Sequence, residues 1–165
     1  MTHELKALEA LNVKQRSMRG PVAGSVHPVV VVHGLADARM VLAIGQPVTL
    51  LSAVGAALFA GSGWWHALIE RARAEHPDIP IADILDCADA SGLALGALRI
   101  GLRRIVLSPT APGWQAVAAI AASLGSEVLT ARPPSLDIAD RSAARRLHNW
   151  LHVRTAPGDS GDALG

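Results

Sequence analysis

Short apolar runs alternate along this chain with longer segments whose apolar residues recur every three or four positions. The first run is Val29-Val30-Val31-Val32, followed at once by His33-Gly34. Four β-branched residues in a row are stiff at χ1 and suit a strand buried on both faces. The same unit, a short apolar run, a polar residue and an Ala/Leu-rich helix, recurs four more times. The pattern predicts strands over 29–32, 48–51, 82–86, 104–107 and 127–130. Helices follow from about Ala36 to Ile44, from Gly63 or Trp64 to His76, to Ile100, to Leu124 and over 137–151. A turn or short helix fills 53–60. Ser62 is the expected N-cap of the second helix, and Asp89 or Ser91 that of the third. Pro77 and Pro80 stop the second helix, Pro112 suits the first turn of the fourth, and Gly45, Gly101 and Gly125 suit helix ends.

Strands alternating with helices of about 10–14 residues imply βαβ units, hence a parallel sheet with right-handed crossovers. The expected fold class is α/β: a three-layer open parallel sheet of about five strands with helices on both faces. The alternative is a partial TIM-like βα barrel, because five units cannot close a barrel that needs eight. Residues 1–28 read as an N-terminal helix (Leu5, Leu8 and Leu11 on one side) and a linker broken by Gly20-Pro21, Gly24-Ser25 and Pro28. Residues 29–153 form the single α/β domain, and 154–165, rich in Pro, Gly, Ser and Asp, read as a disordered tail. The stretch Leu93 to Leu107 resembles the helix-then-strand units of many phosphate-sugar barrels and response-regulator-like domains. That likeness is architectural and brings no catalytic residue with it.

With 165 residues one domain is expected, and a formal charge of +1 gives no bulk pull toward nucleic acid or membrane. Met40 to Trp65 holds no charged residue, long enough for a bilayer of ~30 Å. Gln46-Pro47 interrupts it, so it reads as a helix end, a buried strand and a second helix start. A single cysteine, Cys87, precludes an internal disulfide and points to a reducing, cytoplasmic setting. The N-terminus lacks the apolar core of a signal peptide.

Several chemistries are argued against. The only lysines are Lys6 and Lys14, ahead of the domain. That disfavours Schiff-base chemistry, a lysine-anchored PLP (pyridoxal) cofactor, P-loop nucleotide binding and a phosphate-accepting receiver site. No Gly-x-Gly-x-x-Gly follows a strand, which disfavours NAD binding of the usual kind. There is neither a Gly-x-Ser-x-Gly elbow nor a cysteine pair for zinc.

Ligands of open parallel sheets bind outside the carboxyl ends of the strands. The residues expected there are His33, Ser52, Asp86 with Cys87, Ser108, and Thr130 with Arg132. His33 and Asp86 are candidate acid/base groups. Ser52, Cys87, Ser108, Thr130 and Arg132 are candidate ligand contacts, although polar residues also end strands for purely structural reasons. Arg132 is the one cation expected on this rim and suits an anionic ligand. Gly61-Ser62-Gly63 at a helix start could cradle a phosphate, and is equally an ordinary turn. Trp64 and Trp65 are about 100° apart on a helix, so one faces inward and the other suits a subunit interface. His148 and His152 share a helix face with no third ligand nearby, so no metal is expected. The basic end around Arg141, Arg145, Arg146 and Arg154 reads as a solvated face. Two functions follow. The chain is expected to bind a small molecule, anions included, at the strand-tip rim, or to act as a non-catalytic homo-oligomeric or partner-binding module.

Overall fold

The computed structural model describes residues 27–153. In chain order these form β1 (Val29–Val32), α1 (Leu35–Leu42), β2 (Val48–Ser52), α2 (Ala56–Phe59), α3 (Gly61–Glu75), β3 (Ile81–Asp86) and α4 (Ser91–Arg99). There follow β4 (Arg104–Val106), α5 (Trp114–Ser123), β5 (Glu127–Leu129), β6 (Leu136–Asp137) and α6 (Ala143–Val153). The N-terminal helix expected over 2–12 and the tail expected from residue 154 lie outside the described residues. No helix among the described residues is long and apolar enough to cross a membrane. The uncharged stretch from Met40 to Trp65 instead holds the end of α1, β2, α2 and the start of α3.

The sheet is wholly parallel, in the order β5-β4-β3-β2-β1-β6. This is the expected open α/β sheet, with six strands where the sequence pattern counted five. Every valine of β1 is buried, and strand periodicity sends alternate ones to opposite faces. Val30 and Val32 join a large cluster with Leu50, Leu85 and Ile105, whereas Val29 and Val31 join a smaller one with Leu51, Ile84 and Val106.

The helices are distributed differently from the two outer layers expected. Buried residues of all six helices, such as Val41, Ala57, Ile69, Ala97, Val117 and Leu147, fall in the larger cluster. The strand order explains this. From β1 to β5 each strand is laid beside its predecessor in the same direction, so right-handed crossovers put every connecting helix on one side. Covering both faces requires the direction to reverse. The same order is the cyclic order of strands around a barrel, interrupted between β5 and β6. The chain makes that last step without a helix, through residues 130–135.

β6 is the element the pattern missed. A helix was expected from residue 137, but Leu136 and Asp137 pair with Val30 and Val31, and Ile138 N–H donates to Val31 O at 3.1 Å. Asp137 then ends the strand in a turn, its Oδ1 accepting from Ala139 N–H at 2.9 Å. The expected N-caps also differ. Ala60 and Ala90 occupy the cap positions of α3 and α4 without a side-chain cap. Ser62 lies inside the first turn of α3, and Ser91 Oγ donates to Pro112 O, tying the starts of α4 and α5 together. Pro112 precedes α5, whose cap position is Gly113. The C-termini follow expectation. Gly101 has φ +93°, and Gly101 and Leu102 N–H donate back to Leu98 and Ala97 O, both at 3.1 Å. This closes α4 with a left-handed residue that glycine supplies without strain.

Candidate functional site

Parallel strands place all their carboxyl ends at one margin, and α1, α4 and α5 start from that margin. The acid at the end of β3 organises it. Asp86 is 2% exposed and points to the face opposite the described helices, in phase with Ile84. Its Oδ1 accepts from Gly55 N–H at 3.0 Å and Ala88 N–H at 2.9 Å. Its Oδ2 accepts from Arg132 Nη1 at 2.5 Å. The Arg132 Nη2 donates in turn to Ser52 O at 3.0 Å, and Asp86 N–H donates to Ser52 Oγ at 2.9 Å. One buried carboxylate therefore binds the β2–α2 turn, the β3–α4 turn and the 130–135 segment to each other. An ion pair with one member this deeply buried needs such surrounding donors to offset desolvation.

Beside this knot is an open depression of about 520 Å³, lined by Asp86, Ser108, Thr130 and Arg132 of the expected residues. Val54, Ala88, Asp89, Val106 and Ala131 complete it. Ser108 Oγ shares a hydrogen bond with Thr110 Oγ1 at 2.8 Å, and Ser108 N–H donates to Ala88 O at 2.7 Å. Ala88 has φ +50°, the one positive φ outside glycine among the described residues. Its N–H and C=O are both committed, the first to Asp86 and the second to Ser108. A left-handed alanine costs roughly 1–2 kcal/mol, so these two bonds hold it there.

The remaining expected residues fall elsewhere. His33, at the tip of β1, does not line the depression. Its Nε2 donates to Asp137 Oδ1 at 2.8 Å, and its N–H donates to Asp37 Oδ2 at 2.8 Å. A carboxylate can only accept, so Nε2 carries a proton. Partial burial pushes the Asp137 carboxyl up. The hydrogen bonds from His33 and Ala139 N–H, with the charges of His33 and Arg132, outweigh it and hold Asp137 below the usual range.

Cys87 points the other way from Asp86, into the helix-side core, and is fully buried. It is not a rim contact. Burial, followed by the Asp86 charge, pushes its thiol up to about 12, which removes it as a nucleophile near neutrality. Ser52 is buried as well and contributes through its hydroxyl and carbonyl to the Asp86 knot. Gly61-Ser62-Gly63 form the first turn of α3 and do not line the depression. Trp65 is fully buried, with Nε1 donating to Asp83 Oδ2 at 3.3 Å, so it belongs to the chain's own core. Trp64 remains 38% exposed, its ring centroid 6.0 Å from that of Trp65. His148 and His152 stack at 4.1 Å, and His152 Nδ1 donates to His148 O at 2.7 Å. No group of three or more His, Cys, Asp or Glu is placed to hold a metal among the described residues.

Pattern reading missed Asp137, Asp89, Val54 and Ala88. Asp137 obeys the same rule as the other strand tips, a polar residue after an apolar one. A two-residue strand was too short to expose it. Nothing in the sequence marks Ala88. The sequence matches no protein-family model and no curated protein.

Proposed function

We propose that the chain binds a small polar molecule in the depression at the carboxyl margin of its sheet. One observation carries this reading: the tips of β3, β4 and β5 deliver Asp86, Ser108 and Thr130 to a single concavity, with Arg132 reaching it from the following segment. Its volume is within the ~300–1,000 Å³ usual for small-molecule sites. Ser108 and Thr130 offer hydroxyls that donate or accept. Asp86 is assigned a holding role rather than an acid/base one, since three donors already occupy its oxygens. His33, held by Asp137 at the tip of β1, lies outside the depression, with β2 between it and β3. The single thiol suits a cytoplasmic setting. Neither nucleic acid nor membrane is proposed as a partner.

The test is an amide chemical-shift titration with short probes: inorganic phosphate, acetate, glycerol and methylammonium. The expected result is a saturable response of residues 86–89, 108–110 and 130–132 to one or more of them. Saturation elsewhere, or none with any probe, overturns the reading. Ser108→Ala should weaken the response while leaving the fold unchanged.

A second reading has its own support. Val54, Leu58, Phe59 and Trp64 are 70%, 57%, 72% and 38% exposed, close together in sequence around α2. Large apolar groups gathered on a surface suit a contact between chains, so the module is also read as a homodimer, with Trp64 at the interface. Sedimentation at rising concentration checks this: a dimer of wild type that Phe59→Ser and Trp64→Ser shift to monomer supports it, and a wild-type monomer at all concentrations removes it.

A further inference from the structure

We propose that this depression, taken as the ligand site described above, selects a small organic cation with an apolar body. Three ionisable side chains line it: Asp86, Asp89 and Arg132. The charges of Asp86 and Arg132 are matched to each other at 2.5 Å. Asp89 has no hydrogen-bond or ion-pair partner among the described residues, and it is exposed. The lining therefore carries one uncompensated negative charge. The start of α4 beside Asp89 offsets it by at most about half an elementary charge. An anion entering here meets Asp89 and finds Arg132 already engaged, whereas an ammonium or amidinium group completes the charge balance. The hydroxyls of Ser108 and Thr130 are further acceptors for its N–H groups.

Part of the lining is apolar. Val54 lines the depression and is 70% exposed. Val106, Ala88 and Ala131 add further apolar lining. One carboxylate, a few hydroxyls and a hydrocarbon wall form the complement of an alkyl or aryl amine. They do not form a phosphate site.

The experiment titrates n-butyl-, n-hexyl- and n-octylammonium against the carboxylates of equal chain length, read by amide shifts and by thermal shift. The ammonium series should bind at the depression and tighten about twofold per added methylene, because the wall buries each one on one side only. The carboxylates should bind more weakly at every length. Asp89→Asn should reduce ammonium affinity about two- to fivefold, the range of an exposed ion pair, and abolish the preference over carboxylates. Val54→Ser should flatten the chain-length dependence. Both residues are exposed, so an unchanged melting temperature confirms that the variants fold. Carboxylates binding as well as ammonium ions, or Asp89→Asn leaving the preference intact, overturns the inference. If phosphate, acetate or glycerol titrates the depression while the ammonium series does not, the ligand site stands and its cation selectivity falls. If no probe titrates it, both fall.

Discussion

Asp86 shows how much of one residue's role comes from elsewhere in the chain. Its position at the end of a buried strand follows from the apolar run before it, and strand ends are where an acid attracts functional interest. Arg132 lies far along the chain, and only the fold brings the two together at 2.5 Å. That contact turns a candidate base into a tie between three segments. Removing one member of the pair leaves the other charged, desolvated and unmatched. Asp86→Asn is expected to cost about 2–4 kcal/mol, Arg132→Gln somewhat less because Arg132 keeps some solvent, and the double variant clearly less than the sum. Urea unfolding of the four proteins measures the coupling. Additive losses would show that the contact contributes nothing specific. Ala88 makes the opposite case, a residue whose conformation is worse than its alternative. Glycine accepts φ +50° without the Cβ clash, though it gives up more chain entropy on folding. Ala88→Gly should therefore raise stability by roughly 0.5–1 kcal/mol, read from the same unfolding curves. A loss instead of a gain would mean that the alanine methyl contributes more by packing than its backbone costs.

At the scale of elements, strands long enough to show a period were legible and their accessories were not. β1 to β5 fall within a residue or so of their expected places because apolar runs of several residues carry both a length and a boundary. β6 is two residues long and has no period to read, so Asp137 passed for the start of a helix. Helix ends closed by Gly101 and Gly125 were legible, because a left-handed residue after an Ala/Leu-rich stretch has few other candidates. Helix starts were not. Ser62 and Ser91 have the right side chains, but the backbone enters the helices at alanines two residues and one residue earlier, respectively. Contacts between helices have no local signature at all. The clasp between α1 and α3 is an example: Glu75 accepts from Arg39 at 2.7 Å through both oxygens, and from Arg71 one turn earlier at 2.6 Å. The hydrogen bond from Arg39 and then that from Arg71 hold the Glu75 carboxyl down at about 2, from an ordinary value near 4.5. A carboxyl depressed by folding stabilises the fold above its unfolded value. That contribution is lost as pH falls from about 4.5 toward 2. Glu75→Gln should flatten the stability curve over that window and leave it unchanged in shape above it, as thermal melts in acid buffers would record. The effect should shrink in high salt, since the clasp is on the surface. A variant that loses stability in acid as steeply as wild type would assign the acid limb to other carboxylates.

For the molecule as a whole, the sheet order decides more than any single contact. Because β1 to β5 are laid down in one direction, the helices gather on one face and the carboxyl tips on one margin, and the 130–135 segment must pass that margin to reach β6. The parallel sheet and the shared margin were legible from the βα alternation. The order was not, because pairing between strands depends on side-chain fit that one sequence does not display. Cys87 offers a test of how cooperatively this arrangement opens. It is the only thiol, it is fully buried against the helices, and its neighbour Asp86 belongs to the knot at the margin. Burial and then the Asp86 charge raise it to about 12, against about 8.5 in an unfolded chain. A group raised by folding stabilises fully below its unfolded value, and that stabilisation is lost as pH rises toward the folded one. Stability should therefore fall by up to about 1.4 kcal/mol per pH unit above pH ~9. With no tyrosine in the sequence, no phenol adds to this limb. Cys87→Ala should lack most of it. Alkylation by iodoacetamide at neutral pH should proceed only at the rate set by global opening, slowing in step with added stability across the Asp86 and Ala88 variants. Alkylation that is fast in native buffer and indifferent to those variants would show that the helix layer opens around Cys87 without unfolding the sheet.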